Sequence, residues 1–230
     1  MSPIESNLQH TRTQINTAIA ALPSARQNAV TLVAVSKSKS ADQVRDAFSV
    51  AQRDFGENYL QEAVGKIEAL GDLRARGIVW HFIGPLQSNK LKLIAAHFDW
   101  VTGIDRFKSA VALSRHRTGQ KALNVCVQVN VSGETSKSGV VPEDALGLAA
   151  QVAQLPHLKL RGLMAIIADT NDEVTQRTQF GKLRTLFDSM KMDGMDVDTL
   201  SMGMSQDFTI AIAEGATMVR IGSAIFGARG

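Results

Sequence analysis

A chain of 230 residues with 44% hydrophobic and 20% charged positions can bury a large core, which excludes a disordered or collagen-like polymer. A single cysteine forms no internal disulfide and points to a reducing, cytoplasmic compartment, while no apolar run nears the roughly 20 residues of a membrane helix and no signal-peptide core opens the chain. Twenty-five Lys and Arg against 22 Asp and Glu leave +3 with interspersed signs and 5% aromatics, so nucleic acid is excluded and a small anionic ligand expected.

Apolar residues at Ile4, Leu8, Ile15, Ala18, Ile19 and Leu22 predict an amphipathic helix over 4–22, stopped by Pro23. The short β-branched run Thr31-Leu32-Val33-Ala34-Val35, ending in Ser36-Lys37, predicts a buried strand, and 41–51 a helix. The alternation then repeats. Further strands are expected near 54–56, 79–84, 100–104, 125–131, 160–166, 199–202 and 218–221. Helices are expected over 59–70, 91–97, 108–117, 143–154, 173–190 and 208–214.

Eight strands separated by single helices require right-handed βαβ units and a parallel sheet. Eight such units close a (β/α)8 TIM barrel, here with an extra N-terminal helix, and the lack of a linker predicts one domain over 1–230. An open doubly wound sheet uses the same elements and is the rival. The sequence ends soon after the eighth strand, at Phe226-Gly227-Ala228-Arg229-Gly230, so an outer helix is missing unless the N-terminal one covers the gap.

In such a barrel, sites gather at the C-terminal ends of the strands, and phosphates bind the loops after strands seven and eight. Those loops are Ser201-Met202-Gly203-Met204-Ser205-Gln206-Asp207 and Ile221-Gly222-Ser223-Ala224-Ile225-Phe226-Gly227. Ser205 falls near a helix start, where free amides favour an anion. Gly222 permits close backbone approach and Ser223 adds a hydroxyl. Either loop alone is explained by capping and turning; both together, in these two places, point to phosphate.

Val33, Val35 and Lys37 share one parity, which allows all three to point into the mouth. A lysine of ordinary pKa is only about 0.04% neutral at pH 7, so covalent work requires a desolvated or cation-flanked site. Lysine seldom closes an apolar strand at such a mouth without a job, and a snorkelling or salt-bridged lysine is the alternative account. Lys39 has the same parity but is expected further out, in solvent. Arg220, between apolar neighbours, requires partners, as a structural ion pair or facing a ligand. Asn58 follows the second strand and either orients a ligand or caps a helix. His81 and Trp80 are expected in the core. Lys137, after strand five, is either an anion attractor or an ordinary loop lysine.

Several motifs fail. Gly133 to Gly139 lacks the Gly-Lys-[Ser/Thr] ending of a P-loop, and Ser36-Lys37-Ser38-Lys39 lacks the companion motifs of penicillin-binding enzymes. Cys126, beside Val125 and Val127, is expected as a structural thiol. The five His show no metal-ligand spacing, so no metal is expected.

Seven motifs nevertheless occur in order. They are Ala34-Val35-Ser36-Lys37, Phe55-Gly56-Glu57-Asn58-Tyr59-Leu60-Gln61-Glu62, Trp80-His81-Phe82-Ile83-Gly84-Pro85-Leu86-Gln87-Ser88-Asn89-Lys90, Ser136-Lys137-Ser138-Gly139, Arg161-Gly162-Leu163-Met164, Ser201-Met202-Gly203-Met204-Ser205, and Met218-Val219-Arg220-Ile221-Gly222 through Phe226-Gly227. Together they resemble the pyridoxal phosphate homeostasis protein family over almost the whole chain. The resemblance implies a barrel like the N-terminal domain of bacterial alanine racemase, with pyridoxal 5′-phosphate (PLP) as a Schiff base on Lys37. It implies that Ser205, Gly222 and Ser223 hold the phosphate, at the far side of the mouth, with Ser201 a further candidate. Arg220 then faces the pyridine nitrogen, and Asn58 contacts the ring or its hydroxyl. Ser38, Ser40 and Pro85 depart from the family pattern.

What the resemblance implies functionally is a non-catalytic carrier that holds PLP and delivers it to PLP-dependent apo-enzymes; separately, the lack of an excess apolar surface stripe predicts a monomer. The alternative is a PLP-dependent amino-acid racemase. Two-base racemisation needs a second proton carrier on the opposite ring face. Racemases supply it as a tyrosine across a dimer interface, together with a C-terminal β domain. Here the single tyrosine, Tyr59, lies in the second βα loop, and the sequence stops after strand eight. A pure interaction module would leave Lys37 and the phosphate loops without purpose.

Overall fold

Each strand-like run is followed by a helix because its apolar stretch is too short for anything but a strand and the next stretch repeats at helical spacing. The computed structural model describes residues 2–24 and 27–227; residues 1, 25, 26 and 228–230 of the expected 1–230 span lie outside the described residues, as do Ala228, Arg229 and Gly230 of the final loop. The strands are β1 (Thr31–Val35), β2 (Asp54–Glu57), β3 (Val79–Phe82), β4 (Trp100–Ile104), β5 (Leu123–Gln128), β6 (Leu158–Met164), β7 (Thr199–Ser201) and β8 (Met218–Ile221). The helices are α1 (Pro3–Ala20), α2 (Ala41–Ser49), α3 (Leu60–Ala69), α4 (Leu91–His97), α5 (Phe107–His116), α6 (Pro142–Ala153), α7 (Glu173–Met192), α8 (Phe208–Ala213) and α9 (Ser223–Phe226).

The strands form a closed barrel in sequence order. Closure is explicit at β1, where Ala34 pairs with Phe55 of β2 on one side and with Ile221 of β8 on the other, both parallel. This excludes the open doubly wound sheet. Side chains of alternate parity divide the core. Val33, Trp100, Cys126, Met164 and Met218 pack together inside the barrel, while Leu32, Ala34, Phe55 and Val219 join the layer beneath the helices.

After β8 only the four-residue α9 follows among the described residues. The space left is covered by α1, which packs against α2, α8 and α9. Pro3 stands in its first turn, the Ser2 hydroxyl accepts from the Glu5 amide at 3.2 Å, and Leu8, Thr11 and Ile15 are buried. Asn7 Nδ2 donates to the Ile225 carbonyl at 3.0 Å, tying α1 to α9.

Element order matches the sequence reading, and the ends shift by a few residues. The expected strand 125–131 begins earlier and stops at Gln128; Val129 then bridges to Val140, and its amide still donates to the Met164 carbonyl at 2.8 Å. The expected strand 79–84 stops at Phe82, though Ile83 N–H donates to the Glu57 carbonyl at 2.9 Å. Among the described residues, no helix is long and apolar enough to cross a membrane.

Candidate functional site

Inward parity on four strands continues past their C-terminal ends and converges on one cavity. Val33 and Val35 on β1 lead to Lys37, Gly56 on β2 to Asn58, His81 on β3 to Ile83, and Met218 and Arg220 on β8 to Gly222. The cavity encloses about 320 Å³ and is lined by Lys37, Lys39, Asn58, Arg220, Ser205 and Ser223, with Gly222 and Gly227 beside them. Val35, Ile83, Met164, Ile166 and Met204 make its apolar wall.

Lys37 is half-buried in a turn beyond β1, which ends at Val35. Ser36 accepts from the Lys39 amide at 3.1 Å, and Ser38 takes φ 60. Lys39, expected in solvent, is half-buried and lines the same cavity, because the turn folds it back. Ser40 caps α2 with a full capping box, its hydroxyl accepting from Gln43 N–H at 3.2 Å and its own amide donating to Gln43 Oε1 at 3.0 Å. That capping gives Ser40 a local purpose in place of proline.

Asn58 is held by a close approach. A Cβ on Gly84 would lie 2.5 Å from both the Asn58 carbonyl and its side-chain oxygen, so only glycine fits there. Gly222 is tight but less so: a Cβ there would sit 3.1 Å from the Val35 carbonyl oxygen, which would have to give by a few tenths of an ångström. Because β8 is bonded to β1, the loop carrying Gly222 and Ser223 lies beside the Lys37 turn. The far-side placement expected from the sequence is therefore corrected by barrel closure.

Ser205 and Ser223 come together from the β7 and β8 loops, with the Ser223 hydroxyl 3.3 Å from that of Ser205. Ser205 precedes α8 rather than capping it; Asp207 holds the cap position. Asp207 Oδ1 accepts from the Met204 amide at 2.5 Å, which shapes the loop, and burial raises its carboxyl pKa against that bond and the pull of Arg220. Both α8 and α9 are too short to present a helix dipole, so hydroxyls and loop amides are the polar groups this end of the cavity offers.

Arg220 is buried and forms one edge of the cavity. Its Nη1 donates to Ser201 Oγ at 2.6 Å and its Nη2 to the Ala165 carbonyl at 2.9 Å. Burial lowers its pKa to about 10, with Asp207 opposing. Ser201, expected among the phosphate candidates, does not line the cavity: β7 points it inward beneath Arg220, whose guanidinium engages its hydroxyl.

Other expected residues lie apart. His81 is fully buried toward the opposite end, its Nε2 2.8 Å from Asp54 Oδ1 and its ring stacked on Trp100. Burial pushes the Cys126 thiol up to about 12, as an inert core residue requires. Lys137 lines an adjoining cavity of about 390 Å³ that shares Ile166, Met204, Ser205 and Ser223, and its ammonium donates to the Ile167 carbonyl at 2.6 Å. Among the described residues, no cluster of three His, Cys, Asp or Glu side chains is placed to hold a metal ion.

Behind the Lys37 turn lies a group the sequence reading missed. Lys66 is buried against Glu57, whose carboxyl pKa is raised by burial, with Lys66 and Ser36 opposing. The available signal was the i,i+4 spacing of Glu62 and Lys66, but such a pair on a helix is ordinarily a solvent-facing one.

Residues 6–230 match the family model described as alanine racemase, N-terminal domain. A pyridoxal phosphate homeostasis protein of Pseudomonas aeruginosa is 56% identical over 201 residues, covering 87% of this chain and 85% of that protein. Its namesake in Escherichia coli K12 is 47% identical over 230 residues, covering 100% of this chain and 98% of its own. Among solved structures, PipY of Synechococcus elongatus PCC7942 with PLP bound is 34% identical, with a TM-score of 0.83 over 97% of this chain and 100% of that one.

Proposed function

The chain belongs to the pyridoxal phosphate homeostasis protein family, built on the alanine racemase N-terminal domain, and from that premise we propose that its barrel mouth holds PLP as a Schiff base on Lys37. The observation that carries this reading is the meeting of an amine, two serine hydroxyls over a glycine cradle, and a buried guanidinium around one cavity of about 320 Å³. That volume suits a small cofactor, since such sites span roughly 300–1,000 Å³. When bound, PLP supplies a reactive aldehyde and an electron-accepting ring.

The chain's own residues have these roles. Ser205, Ser223 and the Gly222 backbone grip the phosphate. Ser201 acts one step removed, by holding Arg220. Arg220 faces the pyridine nitrogen and disfavours its protonation, which makes the ring a weaker electron sink. Asn58 orients the ring. Residues 1–230 act as one cytoplasmic, monomeric carrier domain that stores PLP and delivers it to apo-enzymes.

The cavity also favours holding over catalysis. Among the described residues its only ionisable lining groups are Lys37, Lys39 and Arg220, and the two lysines share one turn. Two-base racemisation requires proton carriers on both ring faces. Tyr59, the only tyrosine, is about half exposed and does not line the cavity.

The test is the intact mass of the protein after borohydride reduction in the presence of PLP, with the modified peptide mapped. One added cofactor on Lys37, lost in a folded Lys37→Ala variant together with the Schiff-base absorbance, is the expected result. No added mass, or mass on a lysine away from the mouth, overturns the proposal. Sustained α-hydrogen exchange of L-amino acids in deuterated water by the wild type, absent in Lys37→Ala, would favour the racemase.

A further inference from the structure

The turn that presents Lys37 is anchored from behind by one buried cation. Lys66, on α3, is only 5% exposed. Its ammonium donates to the Ser36 carbonyl at 2.7 Å, to Glu57 Oε1 at 2.7 Å and to Glu62 Oε1 at 2.9 Å, using all three of its hydrogens. The same two carboxylate oxygens reach the turn directly. Glu57 Oε1 accepts from the Ser36 hydroxyl at 2.6 Å, and Glu62 Oε1 accepts from the Ser38 amide at 2.7 Å. The residues before and after Lys37 are thus both fastened to one ammonium–carboxylate cluster.

Two features argue that this cluster serves position more than stability. Desolvating an ammonium and a carboxylate consumes most of the attraction between them, and an apolar pair of similar volume is often as stable. Here Glu57 Oε2 is buried with no hydrogen-bond partner, a further cost. Ser38 also holds φ 60, a left-handed conformation that a non-glycine residue keeps only where its surroundings over-determine it. The bond from Ser38 to Glu62 and the turn closed on Ser36 supply that constraint.

We propose that Lys66 is the positioning residue for Lys37, fixing through Ser36, Glu57 and Glu62 the direction in which the Lys37 amine enters the cavity. The inference rests on Lys37 being the Schiff-base lysine. The step it serves is addition of Lys37 Nζ to the aldehyde carbon. A C–N bond forms, the aldehyde oxygen leaves as water with two protons from the amine, and hydrolysis is the reverse. No oxidant or reductant is involved. The rate of such a step depends on how well the amine is aimed, and a misplacement near 1 Å costs about 100-fold.

Lys66→Met retains the length of the side chain and removes the ammonium. With PLP it should form the Schiff-base absorbance at least about tenfold more slowly than wild type. Pyridoxine 5′-phosphate, which keeps the ring and phosphate but has no aldehyde, should bind both proteins with affinities within about twofold of each other, because its grip bypasses Lys37. A merely structural role would weaken both probes together. Glu62→Ala, at a side chain one-third exposed, removes the Ser38 acceptor without emptying the core, and decides the matter if Lys66→Met does not fold. Wild-type Schiff-base rates in the folded variants, or equal loss of both probes, overturn the proposal. A borohydride label on a different lysine of the wild type instead overturns the Lys37 reading, and the positioning role with it.

Discussion

Arg220 remains a cation in a place where cations are rarely left. Burial lowers its guanidinium to about 10, which still leaves it protonated at neutral pH, and Ser201 and Ala165 take up two of its five N–H groups. The rest of its charge faces the cavity. Arg220→Glu should therefore change the absorbance spectrum of bound PLP far more than Ser138→Ala, which alters a loop residue outside the cavity lining. Equal spectra would remove Arg220 from the ring nitrogen. Glu57 raises a question of sign. Burial lifts its carboxyl pKa above the ordinary carboxylate range, so as pH falls the folded state takes up this proton before the unfolded state does. Between those two values the folded protein binds more protons, and the stability contributed by this group rises on acidification. Wild type should gain on Glu57→Gln when urea unfolding is compared at neutral pH and near pH 4.5; a gap moving the other way would show that the carboxyl is not raised.

At the scale of elements, α1 is part of the barrel's closure rather than an appendage. It covers the flank that α9, one turn long, leaves open, and its Leu8 is fully buried there. Leu8→Ala should cost about 3 kcal/mol in urea unfolding. Asn7→Ala is expected to act differently, because its amide holds the Ile225 carbonyl in the helix that begins at Ser223. It should weaken binding of pyridoxine 5′-phosphate severalfold while lowering stability by only about 1 kcal/mol. The alternation of strands and helices was legible because the period of apolar residues switches cleanly between Val35 and Ala41, and again at each later loop. The strand ends were less legible: Val129 and Val131 continue the apolar alternation of β5 and are buried after the barrel strand has ended. At the site, parity alone placed Lys37 in the mouth. It could not show that the turn brings Lys39 back, that barrel closure sets Gly222 beside Val35, or that Lys66 is buried. Each of these depends on contacts between residues distant in sequence.

Across the whole molecule, the two ends of the barrel have different work. The C-terminal mouth gathers an amine, hydroxyls and a buried arginine around one cavity. The opposite end is sealed by packing: the Trp100 ring stacks on His81, and the Arg161 guanidinium lies over it, 4.7 Å from its centroid. Arg161 is fixed by a two-pronged bond to Asp198, at 2.8 and 2.5 Å, and by Asn124 Oδ1 at 2.9 Å. In barrels of this kind the bottom face supports stability while the strand ends at the top carry function. Asp198→Ala should therefore lower unfolding stability by about 1 kcal/mol, since the pair is partly exposed, and leave borohydride labelling of Lys37 at its wild-type level. The double variant Ser205→Ala with Ser223→Ala should do the reverse, weakening pyridoxine 5′-phosphate binding about tenfold while changing stability by no more than about 0.5 kcal/mol. If loss of Asp198 reduced labelling in proportion to stability, the sealed end would be setting the geometry of the mouth, and the division of labour between the two faces would not hold.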